Sequence, residues 1–286
     1  MVRAQIGILG GSGLYEIEGV KVIDELCPKT PWGRPSDSIT IAEIDGRVAA
    51  FLPRHGRGHI VLPHEINYRA NIAALKMLGC EEVLAFSAVG SLREEIRPLD
   101  FVLPAQVIDR TKSRASSFFG GGIAAHISFA HPFCERLQAI IPQVAETLGI
   151  TIHTNQTLVC MEGPAFSTRA ESNLYRSWGA GVINMSTLPE AKLAREAEMC
   201  YCLVCMSTDY DCWKEDEEHV TVEMVVANLN KNAANAKTLL KSLIPHMAGG
   251  ESCQCRDAVK YAVITDPKKQ DRAQAKRLRT ILPKYF

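Results

Sequence analysis

The amino-acid sequence predicts an α/β protein, a single domain built on a mostly parallel mixed sheet flanked by helices. Two observations carry this prediction. Short apolar segments typical of buried strands alternate with segments whose apolar residues recur at helical spacing. Polar residues collect where the predicted strands end, and the carboxyl ends of parallel strands share one edge of a sheet. We therefore expect a functional site along this edge.

The first half of the chain supplies three predicted strands and a helix. Residues 4–9 form a buried strand that ends at a glycine-rich turn, and residues 48–52 form another that ends at Pro53. A helix over 71–78 precedes a third strand over 82–86. Strands and helices therefore alternate from the start.

The second half continues this alternation. Its helices are predicted over 132–148, 167–178 and 189–198, and its strands over 157–161, 182–185 and 201–206. A long helix begins near Thr221, a residue type that caps helices. The last stretch, 266–282, is predicted as a basic helix with Asp266 as its cap. We treat residues 1–286 as one domain, in which residues 249–286 form a C-terminal extension.

The charge balance excludes several classes of partner. Lys plus Arg equals Asp plus Glu at 32 each, so no net field attracts nucleic acid or an anionic membrane. No apolar run approaches the roughly 18 residues of a membrane span, and the first residues lack the layout of a signal peptide. We expect a cytoplasmic protein without nucleic-acid or membrane partners.

The ten cysteines are expected to be mostly reduced core residues. Cys202 and Cys205 have metal or redox spacing, but they lie in a predicted strand, where residues three apart face opposite sides. Cys253 and Cys255 follow a Gly-Gly pair in a predicted loop, where they can close a strained, reducible bridge or remain surface thiols. No cluster has convincing ligand spacing, so no metal is expected.

Four strand ends carry groups suited to a small oxyanion. Residues 10–13, Gly-Gly-Ser-Gly, can present backbone N–H groups and a hydroxyl, or form only a tight turn. Arg54 places forked cationic donors beside His55 after the second strand. Serines follow at 87 and 186. Each feature alone is common turn chemistry, but together they can converge on one phosphate.

Two carboxylates follow the last predicted strand, at Asp209 and Asp211. They share a face if the strand continues, although an acidic loop tip is the alternative. Adenine presents an N7 acceptor and N6 amino donors along one edge. One protonated and one ionised carboxyl complement that edge, and proximity separates the two pKa values. The pair therefore predicts a site for adenine, in which the protonated carboxyl donates to N7.

Seven spaced motifs follow one another along the chain: GILGGSGL at 7–14, PRHGR at 53–57, NYRAN at 67–71, GSLREE at 90–95, EGPAFS at 162–167, INMS at 183–186 and TDYDCW at 208–213. Together they resemble those of the methylthioadenosine phosphorylases within the trimeric purine-nucleoside phosphorylase family, and the resemblance covers residues 6–245. The resemblance implies a nucleoside phosphorylase-like fold and a pentosyltransferase of purine and methionine salvage. The implied reaction converts 5′-methylthioadenosine and phosphate to adenine and 5-methylthioribose 1-phosphate. Methylthioinosine, inosine or adenosine are the alternative substrates.

The resemblance also implies roles for particular residues. The phosphate would be bound by Ser12, Arg54, His55, Ser87, Ala88 and Ser186. The base and ribose would contact Phe166, Ser167 and Met185, with Asp209 and Asp211 catalytic. The 5′-methylthio pocket would be lined by Val222, Val225 and Ile281. His126 would be lent by a neighbouring subunit of a homo-oligomer, a trimer or a dimer of trimers. Phosphate is a co-substrate, and no cofactor is implied.

The sequence departs from many relatives at three phosphate positions. Ser12, Ser87 and Ser186 stand where threonine is common, but each keeps its hydroxyl, so phosphate binding is expected to survive. Two rival functions are also compatible with these residues. A nucleosidase uses water as acceptor, and water needs no anion site. A purine-binding or redox-sensing protein without catalysis is the other.

Overall fold

A nine-stranded mixed sheet forms the centre of the molecule. The computed structural model describes residues 3–11, 14, 20–214, 222–247 and 253–286. The strands are β1 Ile6–Gly10, β2 Lys21–Leu26, β3 Ile39–Ile44, β4 Arg47–Pro53, β5 Glu82–Ser91, β6 Phe101–Arg110, β7 Ile152–Met161, β8 Val182–Asn184 and β9 Cys200–Asp209. Their order across the sheet is β2-β3-β4-β1-β5-β8-β7-β6-β9.

The helices flank this sheet. They are α1 Tyr68–Met77, α2 Glu135–Thr147, α3 Arg169–Ser177, α4 Thr187–Glu196, α5 Val222–Leu243 and α6 Arg272–Leu278. Local capping explains where several begin: the Asn67 side chain accepts from the Ala70 amide at the start of α1, and Thr168 forms a capping box with Glu171 at the start of α3. Among the described residues, no helix has both the length and the apolar character needed to cross a membrane.

Strand β5 joins two parts of the sheet. It runs parallel to β1 on one side, and it pairs with both β8 and β9 on the other. Because β9 also pairs with β6, and β6–β7–β8 are neighbours, strands β5, β8, β7, β6 and β9 close on one another. Strands β1 to β4 extend outward from this closed set, and β2–β3–β4 are antiparallel.

Apolar residues of successive strand positions pack on opposite faces of the sheet. In β1, Ile8 belongs to one hydrophobic cluster and Leu9 to another. Cys202 and Cys205 of β9 divide between the same two clusters, and both are buried. The prediction that these two cysteines face opposite sides of a strand is therefore confirmed.

The predicted fold class is confirmed, but three strands were not anticipated. Strand β2 lies at the sheet edge and is exposed along most of its length, with Lys21, Asp24 and Glu25 interrupting any apolar pattern. Strand β6 contains Pro104, which has no N–H and usually argues against a central strand. The pairing of β6 with β7 shifts register at this proline, so the strand accommodates it by an irregularity.

The prediction of one continuous helix over 266–282 is wrong. Asp266 does cap a helix, since its carboxylate accepts from the Lys268 amide, but the 3-10 turn ends at Lys269. Gln270 is extended, and Asp271 then caps α6 through a hydrogen bond from the Gln274 amide. A second capping residue therefore divides the segment. The predicted cap of α5, Thr221, lies outside the described residues.

Candidate active site

The guanidinium of Arg54 is held in a buried, two-pronged ion pair. Arg54 follows β4, and its Nε and Nη2 donate to the Glu190 carboxylate at 2.6 and 2.8 Å. Its Nη1 donates to the Phe86 carbonyl at 3.0 Å. Arg54 is 2% exposed and Glu190 is fully buried. A guanidinium has five N–H donors, and these bonds use three of them, so Arg54 retains donors for an anion.

The charge of Arg54 is secured by its surroundings. Burial by itself lowers the pKa of Arg54, but the attraction of Glu190 outweighs burial and leaves the pKa above its ordinary value. The Tyr201 hydroxyl donates to the same carboxylate at 2.8 Å. Glu190 was not identified from the sequence because it lies 136 residues from Arg54 and carries no local signal.

Two of the predicted phosphate serines meet beside this ion pair. The Ser87 and Ser186 hydroxyl oxygens lie 3.2 Å apart, although 99 residues separate them in the chain. The Asn184 amide donates to the Ser87 hydroxyl at 2.9 Å and to the Thr187 hydroxyl at 2.8 Å. Since Ser87 and Ala88 directly follow Phe86, to which Arg54 donates, the predicted residues converge at one place.

His55 is neutral and fixed in one tautomer. Its Nδ1 donates to the Val61 carbonyl at 2.9 Å, and its ring stacks on His59 with centroids 4.3 Å apart. Burial, reinforced by the charge of Arg54, lowers the pKa of His55 to about 4. Because Nδ1 carries the proton, Nε2 is an acceptor at neutral pH.

The end of β1 lies beside the same region. The Arg54 amide donates to the Gly10 carbonyl at 2.9 Å, which places the end of β1 beside the end of β4. Ser12, the predicted hydroxyl of the glycine-rich turn at residues 10–13, lies outside the described residues. Its role in phosphate binding stays a prediction.

The two predicted carboxylates lie together at the end of β9. Asp209 is 6% exposed; its Oδ2 accepts from the Thr208 hydroxyl at 2.7 Å and its Oδ1 accepts from the Asp211 amide at 2.8 Å. Gly90 of β5 faces both residues, and a Cβ there would lie 3.1 Å from Asp209 and 3.3 Å from Asp211. A glycine at 90 therefore leaves room beside the pair.

Asp211 is the less satisfied member of the pair. Its Oδ2 is buried without a well-formed hydrogen bond to any described residue. Burial, together with the charge of Asp209, raises the pKa of Asp211 to about 6, although the nearby Ser172 hydroxyl acts in the opposite direction. The division of roles between the two carboxyls, proton donor and acceptor, stays a prediction.

A loop from residue 161 to residue 167 borders this acid pair. The Cys212 thiol donates to the Ser167 carbonyl at 3.2 Å, which joins the loop to the segment after Asp211. Phe166 is 52% exposed, so its ring is available to a ligand. Gly163 has φ +69° and lies against Met185, whose sulfur would be 2.5 Å from a Cβ at that position. The predicted base and ribose residues are therefore neighbours.

Arg114 holds this loop in place and was not singled out from the sequence. Its side chain is 1% exposed, and its Nη1 donates to the Met185 and Leu188 carbonyls, each at 2.6 Å. Its Nη2 donates to the Glu162 carbonyl at 2.6 Å. One cation thus connects the 161–167 loop with the segment that carries Ser186.

The remaining predicted residues are less closely associated. Asn228 of α5 donates to the Thr208 carbonyl at 2.7 Å, which joins this helix to the end of β9. Val222 is 63% exposed, and the roles of Val222 and Val225 in the pocket stay predictions. His126 is exposed. Ile281 is 1% exposed and packs in a hydrophobic core cluster. Roles of His126 and Ile281 in the pocket stay predictions.

Among the described residues, one group of four side chains could hold a metal ion. It is a cysteine group that includes Cys200, at the other end of β9 from the carboxyl pair. The carboxyl edge instead presents a charged guanidinium, paired hydroxyls and a carboxyl pair. Such groups bind an oxyanion and a hydrogen-bonding base. The geometry is therefore suited to two ligands, one anionic and one heterocyclic.

Comparison with known proteins agrees with this geometry. The family model described as Phosphorylase superfamily matches residues 5–245. The S-methyl-5′-thioadenosine phosphorylase of Koribacter versatilis is 50% identical over 285 residues, which span 100% of this chain and 98% of the relative. The enzyme of that name from Schizosaccharomyces pombe is 49% identical, over 97% of this chain and 95% of its own.

The solved structures give the same result. A methylthioadenosine phosphorylase sourced from an antarctic soil metagenomic library superposes with a TM-score of 0.94 at 42% identity, covering 99% of this chain and 100% of that one. A relative from Schistosoma mansoni, solved with adenine, gives a TM-score of 0.81 at 35% identity over 90% of this chain and 96% of its own. The chain belongs to the phosphorylase superfamily and, within it, to the S-methyl-5′-thioadenosine phosphorylases.

Proposed function

We propose that the protein cleaves 5′-methylthioadenosine with inorganic phosphate, giving adenine and 5-methylthioribose 1-phosphate. The observation that carries this proposal is the convergence of Arg54 and the Ser87–Ser186 pair a short distance from the Asp209–Asp211 pair. Strand β5 connects the two, since Ser87 and Gly90 are three residues apart, about 10 Å. A ribose fits between an anion at one end and a base at the other.

The chemistry follows from these positions. The bond between C1′ and the base nitrogen breaks first, its electron pair leaves with adenine, and the ribosyl group becomes an oxocarbenium-like cation. Asp209 donates a proton towards N7, and Asp211 in its ionised form accepts from the N6 amino group. A phosphate oxygen then attacks C1′ from the opposite face, with inversion.

The phosphate end positions the nucleophile. Arg54 supplies a permanent cation, and the serine hydroxyls supply donors to the remaining oxygens. A monoprotonated phosphate still carries one hydroxyl, and the unprotonated Nε2 of His55 is the matching acceptor. His55 thus selects the orientation of phosphate rather than adding charge.

The pocket for the 5′ substituent and the assembly belong to the same proposal. Val222 and Val225 face the methylthio group, and Ile281 completes an apolar lining. His126 contacts the ribose of a neighbouring subunit in a homotrimer, and its exposure supports this role. We place the enzyme in the cytoplasm, in purine and methionine salvage, with no cofactor beyond the co-substrate phosphate.

Measuring adenine release with and without phosphate tests the reaction class. We expect turnover only with phosphate, and the sugar product to carry it; equal release in phosphate-free buffer would identify a nucleosidase instead. Efficiencies for methylthioadenosine, adenosine, methylthioinosine and inosine then rank the substrates, with methylthioadenosine expected first.

The variant Arg54→Ala tests the phosphate end. Loss of a charge-assisted contact is worth about 1.5–3 kcal/mol, so we expect the KM for phosphate to rise roughly 10- to 150-fold. Nucleoside affinity, measured without phosphate, should change little. An unaltered phosphate dependence would remove Arg54 from the site.

A further inference from the structure

Four cysteine thiols meet at the edge of the sheet opposite to the active site. They come from three separated segments: Cys134 precedes α2, Cys200 begins β9, and Cys253 and Cys255 lie at the 3-10 turn of residues 254–257. All four sulfur atoms lie within 4.8 Å of one another, and those of Cys134 and Cys253 are 3.6 Å apart. Each is a free thiol.

The cluster is distinct from the catalytic machinery. Strand β9 begins with Cys200 and ends with Asp209, a separation of about 30 Å at ~3.3 Å per residue. The cysteines therefore do not touch the proposed substrates, and their grouping needs a separate explanation.

The backbone around the cluster is well fixed. The Cys134 amide donates to the Tyr201 carbonyl at 2.8 Å, and the Cys200 amide donates to the Glu81 carbonyl at 2.9 Å. Cys255 is 6% exposed and packs within a hydrophobic cluster that also contains Cys134 and Cys200. The earlier alternative of surface thiols is therefore wrong for Cys255. The sulfur atoms are held in largely apolar surroundings.

The spacing matches one ion at the centre of a tetrahedron. With Zn–S bonds of about 2.3 Å, the sulfur atoms of a four-cysteine zinc site lie about 3.8 Å apart. Mutual proximity of all four thiols is what a central ion requires, whereas disulfides require only proximity in pairs. Thiolates also prefer zinc to magnesium or calcium.

A cation lies beside the four thiols. Four thiolates around a divalent ion carry two net negative charges. Burial lowers the pKa of Arg136, but its guanidinium pairs with Glu82 and lies near enough to Cys134 and Cys200 for their charges to raise that pKa. A cation and donor next to a ligating sulfur is the arrangement that stabilises bound thiolate.

We propose that Cys134, Cys200, Cys253 and Cys255 form a structural zinc site. Binding forms four Zn–S bonds and releases the thiol protons, with no change of oxidation state. The ion ties the C-terminal segment, which begins after the undescribed residues 248–252, to the start of β9 and of α2. The sequence did not predict this site, because Cys134 and Cys200 lie far from the Cys-x-Cys pair in the chain.

Metal analysis of the intact enzyme tests the proposal. The protein is expressed with added zinc and purified without oxygen, using a reductant that is not a thiol. We expect about one zinc ion per chain, and below about 0.1 per chain in the variant Cys253→Ser/Cys255→Ser. The exposed Cys27 provides the matched control, and Cys27→Ser should retain zinc.

A second measurement on the unmutated protein guards against misfolding of that variant. The four thiols should resist alkylation until zinc is displaced, and denaturation without reductant should give the mass of the fully reduced chain. Four results would each overturn the site. They are less than about 0.1 zinc per chain, iron in place of zinc, a zinc content unaffected by the double substitution, and a mass lowered by disulfide formation. Metal content is independent of turnover, so this result stands apart from the proposed reaction.

Discussion

The two ends of the active site differ in how completely their charged groups are paired. At the phosphate end, Arg54 is enclosed by Glu190 and the Phe86 carbonyl, and Tyr201 completes the carboxylate's bonds. At the base end, Asp211 keeps a buried oxygen without a well-formed hydrogen bond in the described part of the chain. The charged groups of the first arrangement are paired within the protein, whereas the second keeps an acceptor available for a ligand.

This contrast suggests that one end of the site binds phosphate and the other end selects the base. A phosphate has the same shape in every reaction of the family, so a fixed cation with spare donors suffices. The base differs between substrates, and an unpaired carboxyl discriminates because the wrong base leaves it unpaired. We therefore expect phosphate affinity to depend on whether the Arg54–Glu190 pair is intact, and base preference to depend on the protonation of Asp211.

Glu190→Gln should have the largest effect on the phosphate end. It leaves Arg54 buried without a counter-charge, and breaking a buried pair typically costs about 3–5 kcal/mol of unfolding free energy. Denaturant unfolding measures this loss, and added phosphate should restore more stability to the variant than to the parent. Glu25→Gln breaks the exposed pair with Arg57 and should cost less than about 1 kcal/mol. Equal losses in both variants would contradict the comparison.

Asp211→Asn should change base preference next most strongly. Asparagine tolerates the positive φ of 52° at this position, and its amide can donate to the O6 of a 6-oxopurine. Removing one buried mismatch is worth about 1–3 kcal/mol, so the efficiency ratio of methylthioinosine to methylthioadenosine should rise roughly 5- to 150-fold. Asp209→Asn should instead slow both substrates. A ratio unchanged by Asp211→Asn would assign base selection to another group.

Base preference should also depend on pH. Above about pH 6 Asp211 is ionised and accepts from the adenine amino group, and below that pH it is protonated and can donate to O6. The methylthioinosine to methylthioadenosine ratio should therefore rise about tenfold for each pH unit, up to roughly 100-fold as pH falls from 7.5 to 5.5. When both substrates compete in one assay, any effect of pH on phosphate binding acts on both equally and cancels from the ratio. The Asp211→Asn enzyme should show a flat ratio, and a flat ratio in the parent would disprove the role of Asp211.

Val222→Asp should give the smallest effect. Val222 is 63% exposed in the single chain, and losing its contact with one methyl group is worth about 0.8 kcal/mol, roughly fourfold. We expect this loss for methylthioadenosine relative to adenosine. Ala227→Asp, on an exposed position of the same helix, controls for the added charge. A similar loss with both substrates would mean that this face does not line the pocket.

Sequence reasoning located the residues that follow predicted strands, because strand ends are marked by local signals. Arg54 follows Pro53, and Asp209 closes an apolar run, so both could be placed at one sheet edge. Glu190, Arg114 and the cysteine cluster could not be found in this way. Their partners are fixed by pairing between distant segments, as when Arg54 meets Glu190 across 136 residues.

The closure of five strands around β5 has a consequence for how the chain folds during synthesis. One edge of strand β5 can pair only after β9 has been synthesised. Strand β9 lies more than a hundred residues later in the chain, since Glu82 pairs with Cys200. At about 5–20 residues per second, several seconds pass with one edge of β5 unpaired on the ribosome. Ser87 and Gly90 lie on that edge. The phosphate end also needs Glu190 and the base end needs Asp211, so neither end can form until these late residues have been translated.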